Sequence, residues 1–219
     1  MMSYKSVLFD LDGTLLDTLD DLADSANFAL RQLGFPEHKR ESYKYFIGDG
    51  VEALVRQVLP ENRCDAATMA EYAASLRKEY GQRWSHKTRP YEGVAELLDA
   101  LTDREIPMAI LSNKPDEFAK LCVARLLSRW QFAATIGAGP SLPRKPDPAG
   151  ALEIAGQLRL DPAEILYLGD TGTDMQTAVA AGMFPVGVLW GFRAADELTA
   201  HGAEVLIGKP LELLDILDR

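Results

Sequence analysis

The chain has 219 residues, of which 47% are hydrophobic and 26% charged, and it carries a formal net charge of −10 with a sequence pI near 4.8. These fractions are typical of a globular protein large enough for one domain with an insertion, and the acidic balance argues against nucleic acid, whose phosphates bind positively charged faces. No run approaches the roughly 18 apolar residues that a membrane span needs, and the two cysteines lack CxxC spacing, so we expect a cytoplasmic protein without a membrane partner.

Six short apolar runs predict the strands of a sheet. Each run ends at a turn or a polar group, and the runs cover residues 6–9, 107–111, 133–136, 165–168, 186–189 and 205–207. Their continuous apolar character favours parallel strands that are covered on both faces. Helical patterns lie between them at residues 93–101, 116–127, 148–158 and 174–181. This alternation predicts an α/β fold with a doubly wound, Rossmann-like parallel sheet.

Residues 18–87 interrupt the alternation with one helical pattern after another. The patterns cover residues 19–33, 41–46, 51–59 and 66–84. Thr18, with Asp21 three residues later, predicts an approximate capping box at the start of the first helix. We therefore expect a helical domain at residues 18–87, inserted after the first strand, and an α/β core formed by residues 1–17 and 88–219.

Chemically active side chains follow the predicted strands at one edge of the sheet. Because ligands of parallel sheets collect at the carboxyl ends of the strands, we expect these side chains to lie close together. In chain order they are Asp10, Asp12, Ser112, Asn113, Lys114, Arg144, Lys145, Asp170 and Asp174.

The acids of this set predict a magnesium-dependent phosphoryl chemistry. Carboxylates around one point suit Mg²⁺ with several retained waters. Each pair of like charges about 4 Å apart costs roughly 4 kcal/mol at an effective dielectric near 20, and a divalent ion plus a lysine would offset that repulsion. One carboxylate can attack phosphorus to form an aspartyl-phosphate, and a second acid can protonate the leaving oxygen and later activate water.

The order of these groups resembles the four motifs of the haloacid dehalogenase superfamily. The matching segments are Asp10-Leu11-Asp12-Gly13-Thr14, Leu111-Ser112-Asn113-Lys114, Lys145-Pro146-Asp147-Pro148 and Gly169-Asp170-Thr171-Gly172-Thr173-Asp174. The likeness covers nearly the whole chain, and the helical insert resembles the helical cap of that superfamily.

The resemblance implies a role for each catalytic residue. Asp10 would be the nucleophile and Asp12 the general acid and base. Ser112 would bind a phosphoryl oxygen, and Lys145 would neutralise charge on the nucleophile and the phosphoryl group. A retained Asp12 implies cleavage or transfer of a phosphate ester, because the dehalogenase members lack this second acid.

The resemblance also implies the ligands of Mg²⁺. Asp170 would bind the metal together with the Asp10 side chain and the Asp12 backbone carbonyl. Asp174 would bind it through water or orient Asp170. Plain structural roles stay open for some of these groups: Asp12 in a turn, Asp174 as a favourable charge in the first turn of a helix, and Lys145 in a solvated loop.

Substrate choice is expected to come from the cap. Residues 46–55, 87–94 and 112–115 resemble the phosphoglycolate phosphatases, although Ser112 stands where Thr is more usual there. The resemblance implies a small phosphorylated substrate, with 2-phosphoglycolate favoured. The predicted substrate-binding residues are Thr14, Gly48, Ser112, Asn113 and Lys145. Gly48 would present backbone N–H groups to an anion, and Ser112 with Asn113 is also expected to cap the next helix.

Other functions stay open at this point. They include a phosphatase for pyrophosphate, a sugar phosphate or a nucleotide, and a phosphomutase that resembles β-phosphoglucomutase. A non-catalytic phospho-accepting signalling domain also gathers acids, a hydroxyl and a lysine at strand ends. The cap and Asp12 count against it. The sequence is compatible with a monomer or a homodimer.

Overall fold

The computed structural model describes residues 4–218 and contains a parallel six-stranded sheet. The strands in chain order are β1 (Ser6–Phe9), β2 (Leu16–Asp17), β3 (Arg89–Pro90), β4 (Met108–Pro115), β5 (Ala134–Ala138), β6 (Ile165–Gly169), β7 (Phe184–Val188) and β8 (Val205–Ile207). The order across the sheet is β5-β4-β1-β6-β7-β8, while β2 and β3 form a separate antiparallel ribbon. This confirms the predicted doubly wound α/β fold.

Helices cover both faces of the sheet and also fill the insert. They are α1 (Leu19–Gln32), α2 (Tyr43–Phe46), α3 (Val51–Val58), α4 (Ala66–Arg83), α5 (Val94–Asp103), α6 (Asp116–Leu126), α7 (Ala149–Leu158), α8 (Gly172–Ala181), α9 (Ala195–Ala200) and α10 (Leu213–Leu217). Within residues 4–218, none is long and apolar enough to cross a membrane. The helices α9 and α10 are short elements that the sequence patterns did not predict.

The central strand β1 shows why its residues are apolar on both sides. Val7 and Phe9 pack in a cluster with α5, α6 and α10, whereas Leu8 packs in a second cluster with α7 and α8. All three side chains are fully buried. A continuous apolar run is therefore what a strand between two helical layers requires.

The helices of the insert have a hydrophobic core of their own. It contains buried residues of α1 to α4, among them Leu30, Tyr43, Leu54 and Tyr72, and one contribution from outside the insert, Phe192. Tyr72 is fully buried and its hydroxyl donates to the Ala26 carbonyl, so its polar end is satisfied inside this core.

The two chain segments that lead into and out of the insert are joined to each other. They contain β2 and β3, in which Leu16 pairs with Pro90 and Asp17 with Arg89. Immediately beyond the ribbon, a carboxylate oxygen of Asp21 accepts hydrogen bonds from the Lys87 and Thr88 amides at 2.9 and 2.8 Å and from the Thr88 hydroxyl at 2.8 Å. The insert is thus connected to the sheet by a short ribbon, next to which the hydrogen bonds of Asp21 hold the two chain segments together.

Two predicted helix caps were wrong. The Thr18 side chain makes no capping bond, and Asp21 is committed to the Thr88 contact rather than to a capping box. Strand β4 runs four residues beyond its predicted end at Leu111, so Ser112 and Asn113 lie inside the strand and α6 begins after Pro115 without a side-chain cap.

Candidate active site

The candidate site lies at the point where the strand order reverses. Strand β1 lies between β4 and β6, and the chain proceeds to opposite sides of it. Asp10 follows β1, Ser112 belongs to β4 and Asp170 follows β6, so three chemically active residues meet at one edge. This is where open α/β sheets bind their ligands. A cavity of about 530 Å³ opens here between the sheet and the insert, with Asp10 and Asp12 in its lining.

A buried lysine joins two of the predicted acids. Lys145 Nζ lies 2.8 Å from Asp10 Oδ1 and 2.6 Å from Asp174 Oδ1, and it also donates to the Leu111 carbonyl at 3.2 Å. Burial lowers the pKa of Lys145, but Asp10 and Asp174 outweigh that effect and raise it well above its ordinary value. Lys145 is therefore a permanent cation of the site and not a solvated loop lysine.

The pKa of the Asp10 carboxyl is raised to about 7. Burial is the largest cause of this increase, and the negative charges of Asp174 and Asp12 raise the pKa further. The positive charge of Lys145 lowers the pKa and partly offsets these effects. Apart from the ion pair with Lys145, Asp10 Oδ1 has no hydrogen-bond partner among residues 4–218. A buried carboxylate oxygen without a hydrogen bond is costly unless a ligand or ion completes its environment.

Asp170 is held by two donors on opposite sides. The Thr14 hydroxyl donates to its Oδ1 at 3.0 Å and the Phe192 amide to its Oδ2 at 2.8 Å. Burial, then Asp174 and Asp10, raise the pKa of Asp170 well above its ordinary value. The Thr14 hydroxyl thus positions Asp170, and the predicted substrate contact of Thr14 stays a prediction.

Gly13 allows the turn after β1 to approach Asp170. Its φ of +88° lies in the region that disfavours side chains, and a Cβ there would lie 2.2 Å from Asp170 Oδ2. Any other residue at this position would displace the acid. Steric contact with Asp170 thus explains why the first motif has a glycine at position 13.

Three of the acids form a cluster that could hold a metal ion. Asp10, Asp170 and Asp174 are buried, and each offers an oxygen within 4.8 Å of the other two. Mg²⁺ prefers such oxygen ligands, and Asp10 Oδ1, which accepts no hydrogen bond within residues 4–218, is a suitable ligand atom. Asp174 also closes a capping box with Thr171 at the start of α8, which fixes its carboxylate. The Asp12 carboxylate is not in this cluster, and the predicted metal contact of its backbone carbonyl stays a prediction.

Sequence reasoning missed the partner of Asp12. Lys114 Nζ donates to both carboxylate oxygens of Asp12, at 2.9 and 3.1 Å, and both side chains are nearly inaccessible. The same ammonium lies 4.7 Å from the ring centroid of Tyr80 on α4, a favourable cation–π distance. Burial lowers the pKa of Lys114, but Asp12 and Tyr80 raise it overall. The signal available in the sequence was the position of Lys114 two residues after Ser112.

Ser112 and Asn113 point to different tasks. Ser112 lines the cavity, and its hydroxyl oxygen accepts from the Lys114 amide at 3.3 Å. The Asn113 side chain donates to the carbonyls of Gly48 and Lys145 and accepts from the Lys145 amide. Asn113 therefore bridges the insert and the sheet, and a substrate contact for Asn113 or Gly48 stays a prediction.

Further contacts hold the segment before α3 against the sheet. Arg193 donates to the carbonyls of Tyr45 and Ile47, and Thr173 donates to Asp49 at 2.6 Å. None of these pairs is visible from sequence spacing, since their members lie more than a hundred residues apart. Together with the Asn113–Gly48 bond they join the insert to the rest of the chain.

Known proteins resemble this chain over nearly its full length. A phosphoglycolate phosphatase of Thiobacillus denitrificans is 36% identical over 210 residues, which cover 94% of this chain and 92% of the relative. An N-acetylmuramic acid 6-phosphate phosphatase of Pseudomonas aeruginosa is 30% identical over 219 residues, covering 100% of this chain and 96% of the relative.

A solved structure from Lactobacillus delbrueckii subsp. bulgaricus, named as a candidate phosphoglycolate phosphatase, superposes with a TM-score of 0.92 at 28% identity and covers 99% of each chain. The family model for haloacid dehalogenase-like hydrolases matches residues 7–188, which include all four motifs. The fold, the acid and lysine cluster and these similarities agree with one another. The chain belongs to the haloacid dehalogenase-like hydrolases.

Proposed function

We propose that the protein is a Mg²⁺-dependent phosphatase that hydrolyses a small phosphate monoester through an aspartyl-phosphate on Asp10. The observation that carries this proposal is the position of Asp10 in the cavity lining, paired with Lys145 and close to Asp12. Relatives at 30–36% identity over most of the chain are named phosphoglycolate phosphatase. We therefore favour 2-phosphoglycolate as the substrate.

The first step forms a bond between an Asp10 oxygen and phosphorus and breaks the ester bond. Lys145 stabilises the ionised Asp10 before the attack, and the Ser112 hydroxyl, which lines the cavity, would bind a phosphoryl oxygen. The leaving oxygen takes a proton from the Asp12 carboxyl. Lys114 stabilises the Asp12 carboxylate that this transfer produces, because its ammonium bonds both oxygens.

The second step returns the site to its starting state. The Asp12 carboxylate removes a proton from water as the water oxygen attacks phosphorus, and the bond to Asp10 breaks. Asp10 leaves as a carboxylate and phosphate is released. Mg²⁺, held by Asp10, Asp170 and Asp174, would neutralise phosphoryl oxygens so that an anionic nucleophile can approach an anionic ester.

We also propose that residues 18–87 act as a cap over a core of residues 1–17 and 88–219. The separate hydrophobic core of the helical insert and the short β2–β3 ribbon support this division. Opening would require breaking the hydrogen bonds between the insert and the rest of the chain, among them Asn113–Gly48 and Thr173–Asp49. Closure would then limit the access of bulk water to the aspartyl-phosphate.

A phosphorylated sugar acid is the second candidate substrate. One relative that covers the entire chain is named for N-acetylmuramic acid 6-phosphate, and a cavity of about 530 Å³ is in the size range of pockets for larger organic ligands. The helical insert and the paired acids favour turnover over a signalling role. Small phosphorylated metabolites, rather than nucleic acid, remain the expected partners in the cytoplasm.

A panel of phosphate esters tests the proposal. The purified protein is assayed for phosphate release from 2-phosphoglycolate, sugar 6-phosphates, nucleotides, pyrophosphate and p-nitrophenyl phosphate, with Mg²⁺ and with EDTA. We expect metal-dependent release, highest with 2-phosphoglycolate. Release confined to sugar phosphates, nucleotides or pyrophosphate would remove the phosphoglycolate assignment, and undiminished release in EDTA would contradict the metal dependence.

A further inference from the structure

The cavity beside Asp10 has apolar walls and a polar floor. Its walls come mainly from the insert and from α6, including Leu22, Ile47, Val51, Leu54, Leu76 and Phe118. Its floor contains Asp10, Asp12 and Ser112. A phosphoryl group at the floor would place the rest of the substrate among these side chains, so the wall residues would contact the leaving group.

Almost every charged group in the cavity lining already has a partner. Lys114 is bound to Asp12, and Arg77 pairs with Glu117 at 2.8 Å. Arg144 differs from them, because its guanidinium makes no hydrogen bond or ion pair with any residue of the described range 4–218. It precedes Lys145 in the chain and is exposed.

Arg144 is also positioned at the seam between the insert and the sheet. A Cβ added to Gly50 would lie 3.2 Å from its Nη1 and 3.5 Å from its Cζ, so the guanidinium rests against the bare backbone of Gly50. Gly50 has a φ of +88°, and it leaves room for the arginine where another residue would crowd it. The Arg144 guanidinium thus lies at the edge of the cavity, next to Gly50 of the insert.

We propose that Arg144 determines specificity by binding a carboxylate on the leaving group of the substrate. This inference rests on the proposed phosphatase function and names its substrate class: phosphate monoesters of hydroxy acids. The phosphoryl end would bind at Asp10 and Ser112, and the carboxylate would pair with the free guanidinium, whose planar donors match a carboxylate in a bidentate manner. The apolar walls would contact the carbon body between the two ends.

A matched pair of esters tests this assignment. In 2-phosphoglycolate the leaving group ends in a carboxylate, and in 2-hydroxyethyl phosphate a neutral hydroxymethyl group of similar size replaces it. We expect Arg144→Met to lower kcat/KM for 2-phosphoglycolate roughly 10- to 100-fold, mainly through a higher KM, because a hydrogen-bonded ion pair is lost. The loss on 2-hydroxyethyl phosphate should be at least several-fold smaller, and Arg144→Lys should recover part of the preference.

Arg125→Met is the matched control, since Arg125 is an exposed arginine of α6 that is not in the cavity lining and has no partner in the described structure. It should leave both esters unaffected. Equal losses on the two esters in Arg144→Met, or no loss on either, would overturn the carboxylate contact. If the wild-type protein hydrolyses neither ester nor p-nitrophenyl phosphate, the proposed function itself fails, and the inference fails with it.

Discussion

At the scale of single residues, the site is a balance between buried acids and buried cations. The acids are Asp10, Asp12, Asp170 and Asp174, and the cations that contact them are Lys114 and Lys145. The acids exceed the lysines, and burial raises the pKa of Asp10 and of Asp170. The remaining negative charge is what a divalent cation would neutralise.

Replacing Lys114 tests its support of Asp12. We expect Lys114→Met to lower kcat/KM for alkyl phosphates by roughly 10- to 100-fold, because the Asp12 carboxylate formed on proton donation loses its counter-ion. The loss should be smaller for p-nitrophenyl phosphate, whose leaving oxygen needs no proton. Lys114→Arg, which keeps the charge, serves as the control. Equal losses on both kinds of ester would assign Lys114 to packing against Tyr80 instead.

Replacing Asp170 tests the electrostatic repulsion. A raised pKa means that the carboxyl of Asp170 binds its proton more tightly in the folded protein than in the unfolded chain. Its contribution to the free energy of unfolding is therefore lost as pH rises through the folded pKa, where the carboxyl becomes charged. In EDTA at pH 8 we expect Asp170→Asn to melt at a higher temperature than the wild type, with a smaller difference at pH 5. Excess Mg²⁺ should raise the melting temperature of the wild type more than that of Asp170→Asn, because the variant lacks one of the acids that would bind the ion. A variant that melts lower in EDTA at pH 8 would contradict this account.

At the scale of elements, the ribbon of β2 and β3 joins the proposed cap to the core. Asp21 at the start of α1 binds the chain at Lys87 and Thr88, so entry and exit are tied together beside the ribbon. If the insert acts as a cap, it would therefore have one short hinge region rather than two independent linkers. Its motion would be a rotation about that ribbon.

Removing the Asp21 carboxylate tests the staple. Asp21→Ala leaves two amides and one hydroxyl without their acceptor in a buried place, and we expect it to lower the free energy of unfolding by about 2–4 kcal/mol. Asp21→Asn keeps an acceptor oxygen and should cost less. Urea denaturation followed by circular dichroism gives both values. A change in Asp21→Ala below about 0.5 kcal/mol would show that the staple contributes little.

At the scale of the whole molecule, local patterns predicted the fold well. The bounds of β1 and β8 were predicted without error, because each is an apolar run enclosed by polar or turn residues. The end of β4 was not, since Ser112 to Lys114 are polar residues kept in the strand by pairing that reaches Ala138 of β5. Periodicity cannot detect a strand whose last residues are polar because they face a site.

The motifs predicted which residues meet, and distant contacts determined how they are used. Asp10, Asp170 and Asp174 meet as expected from their positions after β1 and β6. The Lys114–Asp12 pair joins residues 102 positions apart beside the Tyr80 ring of α4, and the contact of Thr14 with Asp170 depends on the turn at Gly13. No single stretch of sequence contains either arrangement, so only the three-dimensional structure reveals them.

The most direct test of the proposed mechanism is the detection of the aspartyl-phosphate itself. Asp12→Asn is mixed with p-nitrophenyl phosphate and Mg²⁺, acid-quenched and analysed by peptide mass spectrometry. The leaving group needs no proton and the variant lacks the base for hydrolysis, so the phosphoenzyme should accumulate. We predict a burst of p-nitrophenolate stoichiometric with the enzyme and a phosphoryl group on the peptide containing Asp10. An unmodified Asp10 peptide, together with undiminished turnover by Asp10→Asn, would contradict the mechanism.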